Sequence, residues 1–362
     1  MRYLVFVLSL LSFLSPAAVT SGSSTASGVS NKMNPALSVN GLFLGRTSQE
    51  RYGVEYNNIR LQEAEMHFSS VVDPFWKANV IIAVFPEENG MEYGVGVEEA
   101  SLESTSLPVG LSLKLGKFFL PFGKHSPLHT HHFPFVDAPV AINALLGEGL
   151  TDCGGMMTAG LPTPWYSDAI LYCVDGATET FDPDNADVAF GGRLTNFWDL
   201  SDNATFELGG SAITGPASSD FFGYDNRATV FGIDMTYKWI CGTQSHGPAL
   251  TIQGELLIPD LSNAYSNPYG WYALGLYRLH HNWWLGACYG MVDTGTDNGL
   301  DISDLLNVNI RESKINITFA PSEFSALRAE VCHLDDRLDD TDGLSFGLQA
   351  NFTIGSHPAH LY

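Results

Sequence analysis

Basic residues are scarce in this chain. It has 17 Lys and Arg residues against 40 Asp and Glu residues, which gives a formal net charge of −23 at pH 7. Proteins that bind nucleic acid neutralise phosphates with clustered Lys and Arg, so this balance opposes nucleic acid as a partner. A strongly negative protein attracts cations. We therefore expect small cations or neutral solutes as ligands.

Cysteine is also sparse, and no two cysteines form a CxxC pair. This spacing argues against zinc-ribbon and thioredoxin-like sites. Because five is an odd number, at least one thiol cannot pair within the chain. The pattern predicts either disulfide links to envelope partners or unpaired thiols packed within strands. The cysteines are Cys153, Cys173, Cys241, Cys288 and Cys332.

Long apolar runs are missing as well. No stretch approaches the roughly 20 apolar residues that a membrane-crossing helix needs. At the start, Arg2 precedes an apolar run over residues 4–14 and then small residues, as in a secretory signal peptide. We predict a signal peptide over residues 1–21 and a flexible segment over 22–35. No linker divides the remainder, so residues 36–362 form one predicted domain.

In place of long apolar runs, the chain has segments in which apolar and polar residues alternate, and residues 344–354 are the clearest of them. Apolar side chains alternate there with polar or small ones, and the apolar set is Leu344, Phe346, Leu348, Ala350, Phe352 and Ile354. A segment of this length and alternation is typical of a tilted strand that crosses a membrane. The C-terminal strand therefore predicts a barrel in lipid.

Similar alternating segments occur in pairs along the chain. Short turns join them near residues 72–76, 106–110, 161–165, 198–202, 239–247, 280–283 and 320–324, and longer polar loops separate the pairs. Seven hairpins plus one strand at each end give about 16 strands. We predict an all-β fold, a transmembrane antiparallel β-barrel closed by its first and last strands. A soluble β-sandwich is the alternative.

A barrel of this size has room for an aqueous lumen, so passage of solutes is the expected function. Candidate pore-lining residues are charged and share a strand face with Gly, Ser or Thr. Salt bridging across the inner wall is the alternative role for them. They are Glu98, Lys114, Arg193, Glu207, Asp234, Glu255, Arg328 and Glu330.

The longest loop, residues 121–150, is the third one and is rich in histidine. His125, His129, His131 and His132 could bind Zn²⁺ or Cu²⁺, with Asp137 or Glu148 as an oxygen ligand. Ordinary packing and hydrogen bonding is the competing interpretation. The loop is also unusually apolar, so we expect it to pack either inside the barrel, where it narrows the channel, or across the mouth.

Several segments are similar to a family of bacterial outer-membrane proteins known as zinc-regulated TonB-dependent outer-membrane receptors. They include Leu61-Gln62-Glu63-Ala64-Glu65, Phe122-Gly123-Lys124, Phe135-Val136-Asp137, Leu146-Gly147-Glu148-Gly149-Leu150 and the tail Ile354-Gly355-Ser356-His357-Pro358. The resemblance covers nearly the whole predicted domain and implies a porin-like barrel with a zinc-linked histidine loop. Only a short Gly, Ser and Thr-rich stretch precedes the first strand, so we expect no plug domain and no energy-coupled transport.

Two functions follow as hypotheses. The first is a passive outer-membrane channel for small solutes or cations. The second is a non-conducting envelope protein that binds metal or has a structural or adhesive role. We expect export through the periplasm, contact with outer-membrane lipid and lipopolysaccharide, and a homo-oligomer such as a trimer. No cofactor is required, although zinc is a candidate. No GxSxG motif is present, and we expect no enzymatic activity.

Overall fold

The computed structural model describes residues 35–48, 58–87, 92–147, 149–178, 180–181, 187–216, 227–242, 247–260, 268–293, 309–336 and 341–355. Sixteen antiparallel strands form one closed barrel. The strands are β1 (Ala36–Ser48), β2 (Asn58–Asp73), β3 (Trp76–Pro86), β4 (Tyr93–Ser104), β5 (Leu111–Phe119), β6 (Thr151–Gly160), β7 (Tyr166–Val174), β8 (Ala189–Ser201), β9 (Ala204–Pro216), β10 (Arg227–Ile240), β11 (Ala249–Asp260), β12 (Tyr269–His280), β13 (Trp283–Asp293), β14 (Asn309–Ser322), β15 (Ser325–Asp336) and β16 (Thr341–Gly355).

The barrel closes where β1 pairs with β16. The two strands are antiparallel and in continuous register, with Leu42 opposite Asn351 and Gly45 opposite Leu348. Each other strand pairs with its neighbours in the chain. Closure gives the backbone groups of both terminal strands internal partners, so the barrel has no open sheet edge. The predicted strand number and the predicted closing pair are both confirmed.

The faces of the strands are inverted relative to a water-soluble protein. On β16 the apolar Leu348 and Ile354 are each 62% exposed, whereas the polar Gln349 and Asn351 are 3% and 9% exposed. Apolar side chains therefore point outward and polar ones inward. A soluble β-sandwich would bury its apolar face, so the closed and inverted barrel excludes that alternative.

Short turns occupy one end of the barrel and carry aromatic side chains. Trp165 and Trp198 have ring centroids 6.0 Å apart, and Trp283 and Phe319 have theirs 4.8 Å apart. Aromatic rings at strand ends suit the boundary between an apolar layer and water. The longer loops predicted at the other end fall mostly outside the described residues, as do the predicted signal peptide and nearly all of the predicted segment over 22–35.

The segment between β5 and β6 folds into the barrel. It contains a 3₁₀ helix (Thr130–His132) and a short helix α1 (Val140–Leu146), and a second 3₁₀ helix (Pro108–Gly110) precedes β5. Phe122, Phe135 and Ile142 are at most 2% exposed inside the lumen. Of the two positions expected for this loop, the inward one is therefore observed. No helix among the described residues is long and apolar enough to cross a membrane.

Candidate functional site

The loop enters the lumen where β4 and β5 separate. These strands pair over only four residues, Ala100–Glu103 opposite Lys117–Lys114. Gly116 sits at this point with φ +117°, and a Cβ there would lie 2.1 Å from the carbonyl oxygen of Ala100. Glycine is therefore needed for the close approach of the two strands. Beyond it the chain leaves the wall after Phe119.

One wall of the barrel holds the backbone of the loop through side chains of β14 and β15. Lys314 Nζ donates to the carbonyl oxygens of Asp137 and Ala138 at 3.1 and 2.9 Å, and it pairs with Glu312 at 2.8 Å. Further bonds join Glu312 to the amide of Val140, Glu330 to the amide of Val136, Arg328 to the carbonyl of Phe135 and Asn316 to the carbonyl of Pro134. Polar side chains of the wall thus make the hydrogen bonds that water would otherwise make to the backbone of residues 134–140.

A nearby part of the wall, three strands from β14, holds the beginning of the loop. Glu255 of β11 accepts hydrogen bonds from the amides of Lys124 and His125 at 2.8 and 2.7 Å, and from the Tyr272 hydroxyl at 2.6 Å. Gly123 has φ +62°, and a Cβ there would lie 2.1 Å from Glu255 Oε2. The tight turn at Gly123 therefore allows one carboxylate to bind two successive amides.

The predicted pore-lining residues all lie on the inner wall, but they divide into two sets. Asp234, Glu255, Arg328 and Glu330 are at most 6% exposed. Three of these four contact the loop directly, and Asp234 forms a bidentate pair with Arg193 at 2.6 and 2.8 Å. Asp234 therefore takes the expected alternative role of an ion pair on the inner wall, whereas Glu255, Arg328 and Glu330 anchor the backbone of the loop, a role that the sequence did not predict.

The second set is partly exposed. The side chains of Glu98, Lys114 and Glu207 are 22%, 16% and 16% exposed. Lys124 of the loop pairs with Glu207 at 2.6 Å, and Lys114 pairs with Glu99 at 3.4 Å. The partly exposed side chains of the inner wall therefore carry charges of both signs on β4, β5 and β9.

The loop histidines separate into two environments. His125 is buried, with its ring centroid 4.4 Å from that of Phe133 and 6.2 Å from that of Tyr272. Burial, with a smaller contribution from the charge of Lys314, lowers the pKa of His125 to about 3. His125 is thus a neutral packing residue. Asp137, the predicted oxygen ligand, forms an ion pair with Arg46 of β1 instead.

His129 and His131 lie against carboxylates of β2 and β4. His129 Nδ1 is 2.9 Å from Glu98 Oε2 and 3.2 Å from Glu65 Oε2, and His131 Nδ1 is 3.1 Å from the same Glu65 oxygen. Burial alone would lower the pKa of His129, but Glu65 and Glu98 outweigh it and raise that pKa to about 10. His132 packs on His131, with ring centroids 4.0 Å apart.

A β-bulge brings Glu98 to this place, and a second bulge lies beside Glu63. On β4 the pairing passes from Glu99 to Val97, so Glu98 is the extra residue. On β2 the pairing passes from Glu63 to Leu61, so Gln62 is the extra residue. A bulge turns neighbouring side chains toward the same face. Glu98 and Glu99 consequently both reach His129, the latter at 3.9 Å.

The residues that could hold a metal ion form two groups among the described part of the chain. Glu63, Glu65 and His131 form one, and Glu65, Glu98 and His129 form the other; within each group the ligand atoms lie within 4.8 Å of one another. We name these five side chains the Glu65 cluster. His125, His132 and Asp137 are in neither group, and Glu148 lies outside the described residues.

Sequence reasoning missed Glu63 and Glu65 as partners of the histidines. They are two residues apart on β2, so they share the inner face of one strand. This spacing was a usable signal for an inward pair of carboxylates. What the sequence did not provide is the position of the loop, which brings residues 129–131 across the lumen to that strand.

The cysteines are all free. Cys288 on β13 and Cys332 on β15 both pair with Lys314 on the strand between them, β14. Two strand spacings, about 10 Å, therefore separate the two cysteines, which is too far for a disulfide bond. Cys153, Cys173 and Cys241 are exposed. The predicted disulfide link to another molecule stays a prediction, and these three thiols are the accessible ones.

No family model matches the chain. An uncharacterized protein of Aquifex aeolicus (strain VF5) is 24% identical over 341 residues, covering 84% of this chain and 70% of that protein. The resemblance to zinc-regulated TonB-dependent receptors therefore stays a prediction.

Solved structures of similar fold come from outer-membrane proteins. OprB of Pseudomonas putida has a TM-score of 0.61 at 8% identity and covers 89% of this chain and 94% of its own. An anion-selective porin from Comamonas acidovorans has a TM-score of 0.59 at 9% sequence identity, and the match covers 88% of this chain and 100% of the porin. The trimer form of OmpT, an outer membrane protein of Vibrio cholerae, has a TM-score of 0.54 at 12% sequence identity, and the match covers 89% of this chain and 100% of OmpT. The chain therefore has the closed 16-stranded barrel fold of outer-membrane porins.

Proposed function

We propose that this protein is a passive outer-membrane channel for small solutes or cations, narrowed by the loop inside its lumen. The observation that carries the proposal is the inverted barrel with an apolar outer face and a loop bound to the inner wall. The outer face suits lipid, and a closed wall around a polar interior suits passage of hydrophilic solutes.

The proposed path runs along the side of the lumen that the loop leaves open. Glu98, Glu207 and Lys124 border it with partly exposed side chains. The net charge of −23 favours cations at the entrance. Solutes must pass between the loop and the wall beside these charges, so we expect a narrow path and a preference for small cations.

The apolar outer face of the barrel also supports a proposal for the location and the partners of the protein. We propose export through the periplasm with residues 1–21 as signal peptide, and contact with lipid and lipopolysaccharide in the outer membrane. A trimer is consistent with the trimer form of the Vibrio cholerae OmpT. Passage needs no covalent chemistry, and we propose no enzymatic activity: Ser126, beside His125, accepts a hydrogen bond from the Leu150 amide as a loop-closing residue.

A second candidate function has its own supporting observation. The loop contacts wall strands on opposite sides of the barrel and forms an apolar core with them, including Phe122, Leu145, Tyr272 and Val292. If this core fills the whole cross-section, the protein is a non-conducting envelope protein. Its role would then be metal binding, structure or adhesion.

Electrical recording of the refolded protein in a planar bilayer separates the two functions. If the protein is a channel, we expect discrete current steps. In a KCl gradient, we expect the sign of the reversal potential to show that K⁺ passes more readily than Cl⁻. Absence of steps from protein whose electrophoretic mobility is heat-modifiable, and which is therefore folded, would favour the second function.

A further inference from the structure

We infer that the Glu65 cluster is a binding site for divalent transition-metal ions, with Glu65 as the ligand shared by two coordination positions. Glu63 and His131 complete one position, and Glu98 and His129 complete the other. The inference deepens the proposed channel function, because Glu98 is partly exposed and borders the proposed path. Its consequence for gating rests on that proposed function.

The donor set selects the class of metal. Each position offers two carboxylates and one imidazole nitrogen, which coordinates after its proton is released to solvent, and this mixture suits Zn²⁺ and its first-row neighbours. Mg²⁺ and Ca²⁺ prefer oxygen ligands throughout. Ligand atoms within 4.8 Å of one another need only small side-chain rotations to surround one ion with bonds of about 2 Å.

The cluster also carries an unsatisfied oxygen. Glu63 is 7% exposed and its Oε1 has no hydrogen-bond partner, and Glu63 is the residue grouped with Glu65 and His131. Burying a carboxylate oxygen without a partner is costly. A divalent cation at this point would supply the missing partner of the Glu63 oxygen.

Both positions join the loop to the wall. His129 and His131 flank or belong to the 3₁₀ helix of the loop, whereas the carboxylates belong to β2 and β4. A bound ion would therefore fix residues 129–131 against the wall next to the open path. We infer that metal occupancy lowers the current through the channel by holding the loop in its inward position.

The test measures Zn²⁺ binding to the full-length, refolded protein in detergent by equilibrium dialysis, with Mg²⁺ in excess. We expect wild type to bind Zn²⁺ at micromolar concentration or below. Glu65→Gln removes the shared ligand and lowers affinity on the order of 100-fold. Glu98→Gln, which changes a less buried residue, removes one position and keeps the test valid if Glu65→Gln does not fold.

His132→Asn is the matched control, because His132 is next to His131 but belongs to neither position. It should bind Zn²⁺ like wild type. Failure of wild type to bind, unchanged binding in both glutamate variants, or loss of binding in His132→Asn alone would each overturn the assignment. Binding is measured without a bilayer, so the absence of current would bear on the channel proposal and not on the site.

In bilayers, Zn²⁺ should reduce wild-type current and leave the Glu65→Gln variant unaffected. Equal inhibition of both proteins would contradict the gating consequence while leaving the binding result standing.

Discussion

At the scale of single residues, the ion pair of Arg193 with Asp234 depends on the lack of a side chain at Gly209. A Cβ at Gly209 would lie 2.4 Å from Asp234 Oδ2 and 2.5 Å from Arg193 Nη2. Both charged groups are buried, so neither can move into water to make room. A single methyl group should therefore break a bidentate pair on the inner wall.

We predict that Gly209→Ala destabilises the folded barrel by about 2 kcal/mol. Gly210→Ala is the matched control, since its Cβ would meet no atom within 4 Å. Urea unfolding of both variants in detergent, followed by tryptophan fluorescence, measures the difference. Equal unfolding midpoints for the two variants would contradict the role of the pair.

His125 makes the stability of the loop sensitive to acid. Its pKa is about 3 in the folded protein against an ordinary value of 6.5. Below pH 6.5 the unfolded chain takes up a proton that the folded chain does not, so stability falls by about 1.4 kcal/mol per pH unit until the folded pKa is reached. Tyr272 lies against this ring, Lys314 contributes through its charge, and Glu255 accepts a hydrogen bond from the backbone amide of His125.

We predict that His125→Phe, which keeps an apolar ring against Phe133, removes this component of the pH dependence. Unfolding midpoints at pH 7.5 and pH 5 should differ less for the variant than for wild type. A variant whose stability falls with pH as steeply as that of wild type would show that the acid sensitivity comes from other groups.

At the scale of elements, the loop is held by wall side chains that replace water around its backbone. Lys314 provides two of these bonds and also compensates the charge of Glu312. Removing one member of a buried ion pair costs about 3–5 kcal/mol, because the other charge stays uncompensated. Lys314 should therefore be a principal anchor of residues 137–140.

We predict that Lys314→Met increases cleavage of the loop by chymotrypsin at least tenfold, while the barrel itself stays folded. Lys77→Met is the control, since Lys77 pairs with Glu103 at 3.0 Å in a much more exposed setting. A loop as protected in Lys314→Met as in Lys77→Met would show that apolar packing alone holds it.

The strands could be predicted because their alternation is local. The alternation over residues 344–354 specifies a strand and shows which of its faces is polar. Together with the first predicted strand, which begins at residue 36, it also specifies the pair that closes the barrel. The bulges at Gln62 and Glu98 could not be predicted, because a bulge depends on the register of the neighbouring strand. The bulge at Glu98 adds one carboxylate to those that meet the histidines, and the inward position of the loop adds Glu63 and Glu65, so the ligand set expected from the loop differs from the Glu65 cluster.

At the scale of the whole molecule, the barrel and the loop are separable parts. Leu120 and Leu150 are joined by a backbone hydrogen bond of 2.7 Å at the ends of β5 and β6. A short turn can therefore replace residues 121–149 without interrupting the wall. The barrel without its loop should keep its closed ladder, because the ladder is made between adjacent strands.

The most direct test of the account compares single-channel conductance of wild type with that of a variant in which a four-residue Gly and Ser turn replaces residues 121–149. We predict small current steps for wild type and steps several-fold larger for the variant, because the loop narrows an otherwise wide lumen. Equal conductance in two proteins that both show heat-modifiable mobility would contradict the claim that this loop sets the channel width.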